Sequence, residues 1–422
     1  MIDLAVAGKK MRFHVRIRKS LIVAAVLAFP LSLLGVLPAS AATQTVTNWS
    51  DLRSAFSNAA IGQTTTIVLA NDISTSSSAT SFLMVNTSTS TTGAAIVLDL
   101  NGHHLAVPAN TAGSYPPAIG VYKGSSLTIQ DSVGGGVLDA TAVNNAAAIG
   151  VGYGVAAVKT SPADRTGGTI IINSGTVNAT GGDRSSGIGG GYFFGGGVIE
   201  INGGHVTATG GGMAPGIGNG WGQGSSTGTN DATSIRLAGG VVTAVGNGGS
   251  PGIGRGLMTA STVAAGSISI SGCGSVSATG GSGATNSFGG GAGIGAGAFD
   301  SGTTVAPDPL SIDGAPQAGA PTVAASGAAG TTAAGVGSPI TYSGKASYQL
   351  TVTATTPSTA ADGGIFTVLC TAVSPSTPSA APSAPGLPAT GVNAPLGVAG
   401  VAALLGAGAV LLMLTRRRLE RD

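Results

Sequence analysis

The stretch IIINSGTVNATGGDRSSGIGGG, from Ile170 to Gly191, comes back three times. IEINGGHVTATGGGMAPGIGNG starts at Ile199, IRLAGGVVTAVGNGGSPGIGRG at Ile235, and ISISGCGSVSATGG, closing on GAGIGAG, at Ile268. The starts are 29, 36 and 33 residues apart, yet in the first three copies the valine and the GIG isoleucine keep a spacing of 11: Val177 to Ile188, Val206 to Ile217, Val242 to Ile253. The fourth, Val276 to Ile294, carries an insertion, and a weaker copy begins at Leu127. Each copy holds three short strand signals: IxI, VTAT and GIG. Alternation sends every second side chain to one face, so Ile172, Val177 and Ile188 are expected to point inward together. So small a unit cannot bury that face alone. Stacking the copies coil on coil supplies apolar ladders and gives the strand backbones partners. Glycines suit the sharp corners between strands.

The pattern extends upstream. TTTIVLANDI (Thr64 to Ile73), AIVLDLNGHHLAV (Ala94 to Val107) and AIGVYKGSSLTIQDS (Ala118 to Ser132) each read strand, turn, strand. Before them, NWSDLRSAFSNA offers Asn48 as an N-cap and places Trp49, Leu52, Ala55 and Phe56 at roughly helical spacing. A short helix there would close the open end of a stack.

The LDLNGHHL and LTIQDS phrases and the VTATGG…GIG copies resemble right-handed parallel β-helix proteins of the pectin-lyase-like type, from about Thr43 to Asp313. The resemblance implies an all-β chain: a right-handed parallel β-helix with a short N-terminal cap helix and a small C-terminal β module. A stack of antiparallel meanders is the alternative. The likeness does not choose a function, because this scaffold carries lyases, hydrolases and adhesins alike.

The two ends carry signals of a different kind. Residues 1–41 read as a secretory signal peptide: a basic region from Lys9 to Lys19, an apolar core from Leu21 to Leu37, and Ala39-Ser40-Ala41 as the cleavage site, with Ala39 and Ala41 the small residues that define it. At the other end LPATG, Leu387 to Gly391, precedes an uncharged apolar run at 396–414 and the basic residues Arg416, Arg417, Arg418 and Arg421. Nineteen residues at ~1.5 Å each match a bilayer core, and the arginines hold their side in the cytoplasm. The order resembles the sorting signal of sortase-anchored surface proteins of Gram-positive bacteria. With Leu387, Pro388, Ala389, Thr390 and Gly391 as the signal, it implies a sortase that docks Leu387 and Pro388, attacks the Thr390 carbonyl, expels Gly391 onward, and joins Thr390 to a peptidoglycan amine. The expected organisation is then 1–41 signal peptide, 42–313 β-helix, 314–373 spacer and small β module, 374–386 a disordered Pro/Ser/Ala linker across the wall, and 387–422 sorting signal with one transmembrane helix.

Without its ends the chain loses its formal charge of +2: Ala42 to Thr390 carries eight Lys or Arg against thirteen Asp or Glu. Nucleic acid is excluded as a partner, because phosphate binding needs clustered basic side chains. Glycine, 73 of 422 residues, far exceeds the usual ~7%, and the 8% of charged residues falls well short of the usual ~25%; repeat architectures tolerate both. Cys273 and Cys370 form either a disulfide or two isolated thiols.

No catalytic residue, metal site or cofactor is assigned. Lysis or hydrolysis of a polyuronide needs clustered charge, and Asp99, Asp131, Asp139, Asp164, Asp183 and Glu200 are dispersed. No phosphate loop or calcium nonapeptide occurs among the glycine runs. The residues singled out for glycan binding are the aromatics beside the GIG strands, Tyr192, Phe193 and Trp221, with Asp183, Arg184 and Glu200; solvated turn residues and corner-filling aromatics are the bland alternatives. The functional expectation is a secreted, wall-anchored adhesin or polysaccharide-binding protein with a polysaccharide or host-surface ligand. An anchored lyase or hydrolase, or a passive stalk, stands behind it.

Overall fold

A computed structural model of the chain describes residues 2–6, 9–13, 42–78, 81–85, 92–109, 115–152, 166–222, 233–256, 266–271, 274–282, 291–296, 310–314, 322–326, 340–344, 348–354 and 365–372. They form a right-handed parallel β-solenoid with one short helix. The antiparallel meander is ruled out: Ile170 pairs with Ile199, Val177 with Val206 and Ile188 with Ile217, all parallel.

Each coil visits three sheets in turn. Thr169–Ile172 lies in the first, Thr176–Thr180 in the second and Ile188–Gly189 in the third; Val198–Ile201, His205–Thr209 and Ile217–Asn219 repeat the circuit one rung on. The first sheet runs from Ala42–Val46 to Ile340–Gly344 and the third from Leu83–Met84 to Ile294–Ala296. The second is parallel from Ile73–Ser74 to Thr322–Ser326, where Ile365–Ala372 and then Tyr348–Ala354 join it antiparallel. Ile172, Val177 and Ile188 are wholly buried, as the alternation requires. Each such side chain contributes roughly 1.5–3 kcal/mol, and the ladders continue through Ile149, Ile217, Ile253 and Ile294.

The second glycine of GIG has a specific cause. Gly150, Gly189, Gly218, Gly254 and Gly295 have φ of +143°, +123°, +140°, +129° and +136°, a region closed to other L-residues. A methyl group on Gly189 would also collide with the carbonyl oxygen of Gly218, and one on Gly218 with that of Gly254. This column lets the third sheet turn sharply while its backbones stay in register.

The helix spans Trp49–Asn58. Asn48 is its N-cap: its side chain accepts from Asp51 N at 3.0 Å. Leu52, Ala55 and Phe56 are buried, Trp49 packs against the core, and the helix sits on the terminal strands Ala42–Val46 and Leu83–Met84, where it caps the stack. Ile2–Val6 pairs antiparallel with Lys9–Phe13. Residues 14–41, Cys273, the linker 374–386 and the sorting signal 387–422 lie outside the described residues. So does the expected span 396–414; among the described residues no helix is long and apolar enough to cross a membrane.

Candidate functional site

Two corners of the coils gather the side chains of interest. Between the second and third sheets, Asn145, Arg184, Met213 and Gly249 occupy the same place on four successive coils, with φ of +51°, +61°, +62° and +86°. After the third sheet, Phe193 (φ +64°) is matched one coil on by Gly222 (φ +75°). Both corners demand a left-handed backbone, which costs a residue with a side chain roughly 1–2 kcal/mol. The coil at 169–197 accepts that cost twice, at Arg184 and at Phe193. Strain held at two positions whose backbones both bond Trp221 of the next coil marks a candidate functional place.

Tyr192 and Trp221 are 29 residues apart and stand at equivalent points of adjacent coils. Their rings are parallel within 5°, with centroids 5.1 Å apart, close to the ~4.8 Å rise between strands. Phe193 leans on both, at 3.8 Å from Tyr192 and 6.1 Å from Trp221. The guanidinium carbon of Arg184 lies 5.4 Å from the Tyr192 centroid and 5.3 Å from that of Trp221. Three separations so nearly equal form a triangle, so the guanidinium lies against both rings and is not inserted between them. The backbone fixes this geometry: Trp221 N donates to Arg184 O at 3.0 Å, Phe193 N to Trp221 O at 2.9 Å, and Arg184 N to Gly212 O at 2.7 Å. Gly222 makes room, since a methyl there would meet Phe193 Cε1 at 2.8 Å.

Asp183 Oδ2 stands 3.5 Å from Arg184 Nε, an ion pair rather than a good hydrogen bond. Arg184 Nε and Trp221 Nε1 are buried with no hydrogen-bond acceptor among the described residues. Five of the six side chains expected to bind glycan are thus brought together. Glu200 is not among them: it lies in the first sheet, 3.9 Å from Arg236 and one rung before it. The stack also changes the expected mode of contact. The mutually facing sides of Tyr192 and Trp221 are spent on each other, which leaves the outer faces and edges, with the guanidinium, as the surface a ligand could use.

Four of the other acids are committed elsewhere, and Asp164 lies outside the described residues. Asp99 Oδ1 accepts from Asn101 N and Ser132 N, and Oδ2 from Gln130 Nε2. Asp131 accepts from Gly102 N and Gly136 N, each at 2.7 Å. Burial raises the Asp131 pKa, but the amides of Gly136, Gly102, Gly134 and Val133 outweigh it and hold the carboxyl below its ordinary value. Asp139 bridges His104 Nε2 at 2.7 Å and Asn178 Nδ2 at 2.8 Å, while Asp72 takes His104 N and His103 Nδ1. Sequence reading missed this polar chain. Its signal is the register: Asp139 faces Asn178 directly, and His104 lies opposite Val137, two residues away along the strand. Phe194 is a core residue, packed with Tyr122 and Val151.

Residues 43–153 match the family described as a pectate lyase-like adhesive domain. Residues 170–192 and 199–221 each match the β-helix repeat family. The adhesive-domain segment covers the cap helix and the coils up to Gly152; Tyr192 and Trp221 are the last residues of the two repeat segments that follow, and Phe193 comes just after the first. The chain is therefore adhesin-like in its N-terminal coils and built on β-helix repeats beyond them. Comparison with characterised proteins and with solved structures gives no match.

Proposed function

We propose that the chain is a cell-wall-anchored surface protein that holds a polysaccharide at the Arg184 corner without cleaving it. The observation that carries the reading is the Arg184 guanidinium set beside the parallel Tyr192 and Trp221 rings, next to the Asp183 carboxylate, on two strained corners. Aromatic edges and faces take the C–H surface of a sugar, and the charged pair takes its hydroxyls. The likeness of residues 43–153 to an adhesive domain supports attachment over turnover. So does the engagement of Asp99, Asp131 and Asp139 in hydrogen bonds and of Glu200 with Arg236, since none of these four is left poised as an acid or base across a common groove. Replacing Tyr192 and Trp221 together with alanine should weaken retention on the polysaccharide by ~1–3 kcal/mol, on the scale of lost ring stacking. Unchanged retention moves the site elsewhere. Release of reducing sugar or unsaturated uronide, abolished by Asp183→Asn or Glu200→Gln, makes the protein an enzyme instead.

Anchoring rests on the order LPATG, apolar run, basic tail. A sortase would join Thr390 to peptidoglycan after removal of residues 1–41, with the precursor passing through the membrane. Thr390→Ala should shift the protein into the medium or leave it in the membrane fraction; equal covalent wall attachment of the variant defeats this reading.

A further inference from the structure

We propose that the Arg184 corner takes an uncharged sugar through two adjacent hydroxyl groups, in preference to a uronate or other acidic sugar; this rests on the glycan-binding reading above. Asp183 Oδ2 pairs with the buried Arg184 Nε at 3.5 Å, which sets carboxylate and guanidinium side by side; their side chains are 48% and 38% exposed, and the donors offered to a ligand are the terminal guanidinium N–H groups. Neighbouring hydroxyls can each donate and accept. One oxygen receives a guanidinium N–H while the next gives its proton to the carboxylate. The charged end of an acidic sugar offers acceptors only, and it would lie within a few ångströms of the Asp183 carboxylate, where like charges repel.

Among the described residues, the places equivalent to Arg184 on the flanking coils supply no second cation to offset that repulsion: Asn145, Met213 and Gly249 are all neutral, and the Arg184 cation is already paired with Asp183. At longer range the thirteen acids against eight bases between Ala42 and Thr390 push an anionic polymer away. The carboxylate also has a built place: a methyl group on Gly212 of the next coil would collide with Asp183 Oδ1, so glycine there leaves the acid its position beside the guanidinium.

The test presents the full chain with three soluble neutral polysaccharides, a β-glucan, a mannan and a galactan, and with polygalacturonate, each at low and at high salt. A neutral polymer should be bound with an affinity that moves less than about twofold with salt, since no ligand charge is screened. Asp183→Asn should lower that affinity about tenfold through loss of a charged hydrogen bond, with thermal unfolding unchanged. Gly212→Ala, which crowds the carboxylate without touching its charge, should weaken binding in the same direction. Preferential binding of polygalacturonate that fades with salt and strengthens in Asp183→Asn overturns the proposal and leaves the glycan reading standing. Retention of neither class overturns both. Neutral binding that survives Asp183→Asn but is lost in Trp221→Ala removes the carboxylate from recognition and with it the proposal.

Discussion

Asp99 and Asp131 stand on adjacent coils and trade backbone partners: Asp99 takes the amide of Ser132 on the next coil, and Asp131 takes that of Gly102 on the one before. Each also serves its own turn, Asp99 through Asn101 and Asp131 through Gly136. Asp131→Asn keeps the shape and loses the charge, so it should cost about 1 kcal/mol, at the low end for bonds to charged groups because solvent reaches the turn. The folded pKa of Asp131 is lowered, so its contribution is present above the unfolded value of ~3.9 and is lost as pH falls through the folded value. Denaturant titrations should therefore show the two proteins converging below about pH 4; a gap of constant size from pH 7 downward contradicts the clamp.

The glycine column predicts a sharp contrast between two substitutions. Gly189→Ala needs φ of +123° and drives a methyl into the Gly218 carbonyl, so it should cost more than ~3 kcal/mol and abolish stable folding of the coil. Gly134→Ala meets no atom within 4 Å and faces only a φ of +97°, so its loss should stay near 1–2 kcal/mol. Thermal melts of the two variants decide; equal destabilisation would mean that strain alone, and not the close stacking of carbonyls, selects glycine there.

Arg184→Gly separates binding from stability. Releasing the left-handed backbone returns roughly 1–2 kcal/mol, extra unfolded-state entropy takes back about 0.5–1, and loss of the ring contacts takes ~0.5–1 more. The sum lies near zero. The variant should melt within a few degrees of the parent and fail to retain polysaccharide; a large loss of stability would make Arg184 a structural residue.

Asn48→Ala tests the cap. Losing the bond to Asp51 N should cost ~0.5–2 kcal/mol, and hydrogen exchange should report it first in the helix Trp49–Asn58 and in Ala42–Val46 beneath it. Faster exchange confined to distant coils would contradict a capping role.

The coil itself was legible in the sequence because a strand reads out in two or three residues. The IxI, VTAT and GIG phrases named Ile172, Val177 and Ile188 as core, and each is buried. The meeting of Tyr192 with Trp221 was legible for the same reason, since 29 residues is one circuit. Glu200 stands apart from the cluster because nearness along the chain says little about which side of a coil a strand occupies; 16 residues after Arg184 the chain has already turned onto the first sheet. The Asp99–Asp131 exchange and the His104–Asp139–Asn178 chain were hidden, because each depends on a side chain reaching a neighbour whose offset is set by intervening loops of varying length.

The coil at 169–197 offers the same face to the rung above as to the rung below: Ile188 is stacked between Ile149 and Ile217, and Gly189 between Gly150 and Gly218. A tandem duplication of one circuit in the gene would therefore insert a unit that already fits both neighbours. Growth or shrinkage in whole circuits leaves every contact type intact and shifts whatever lies beyond by ~4.8 Å per step. Reach is thus adjustable by copy number, with no new contact for selection to invent.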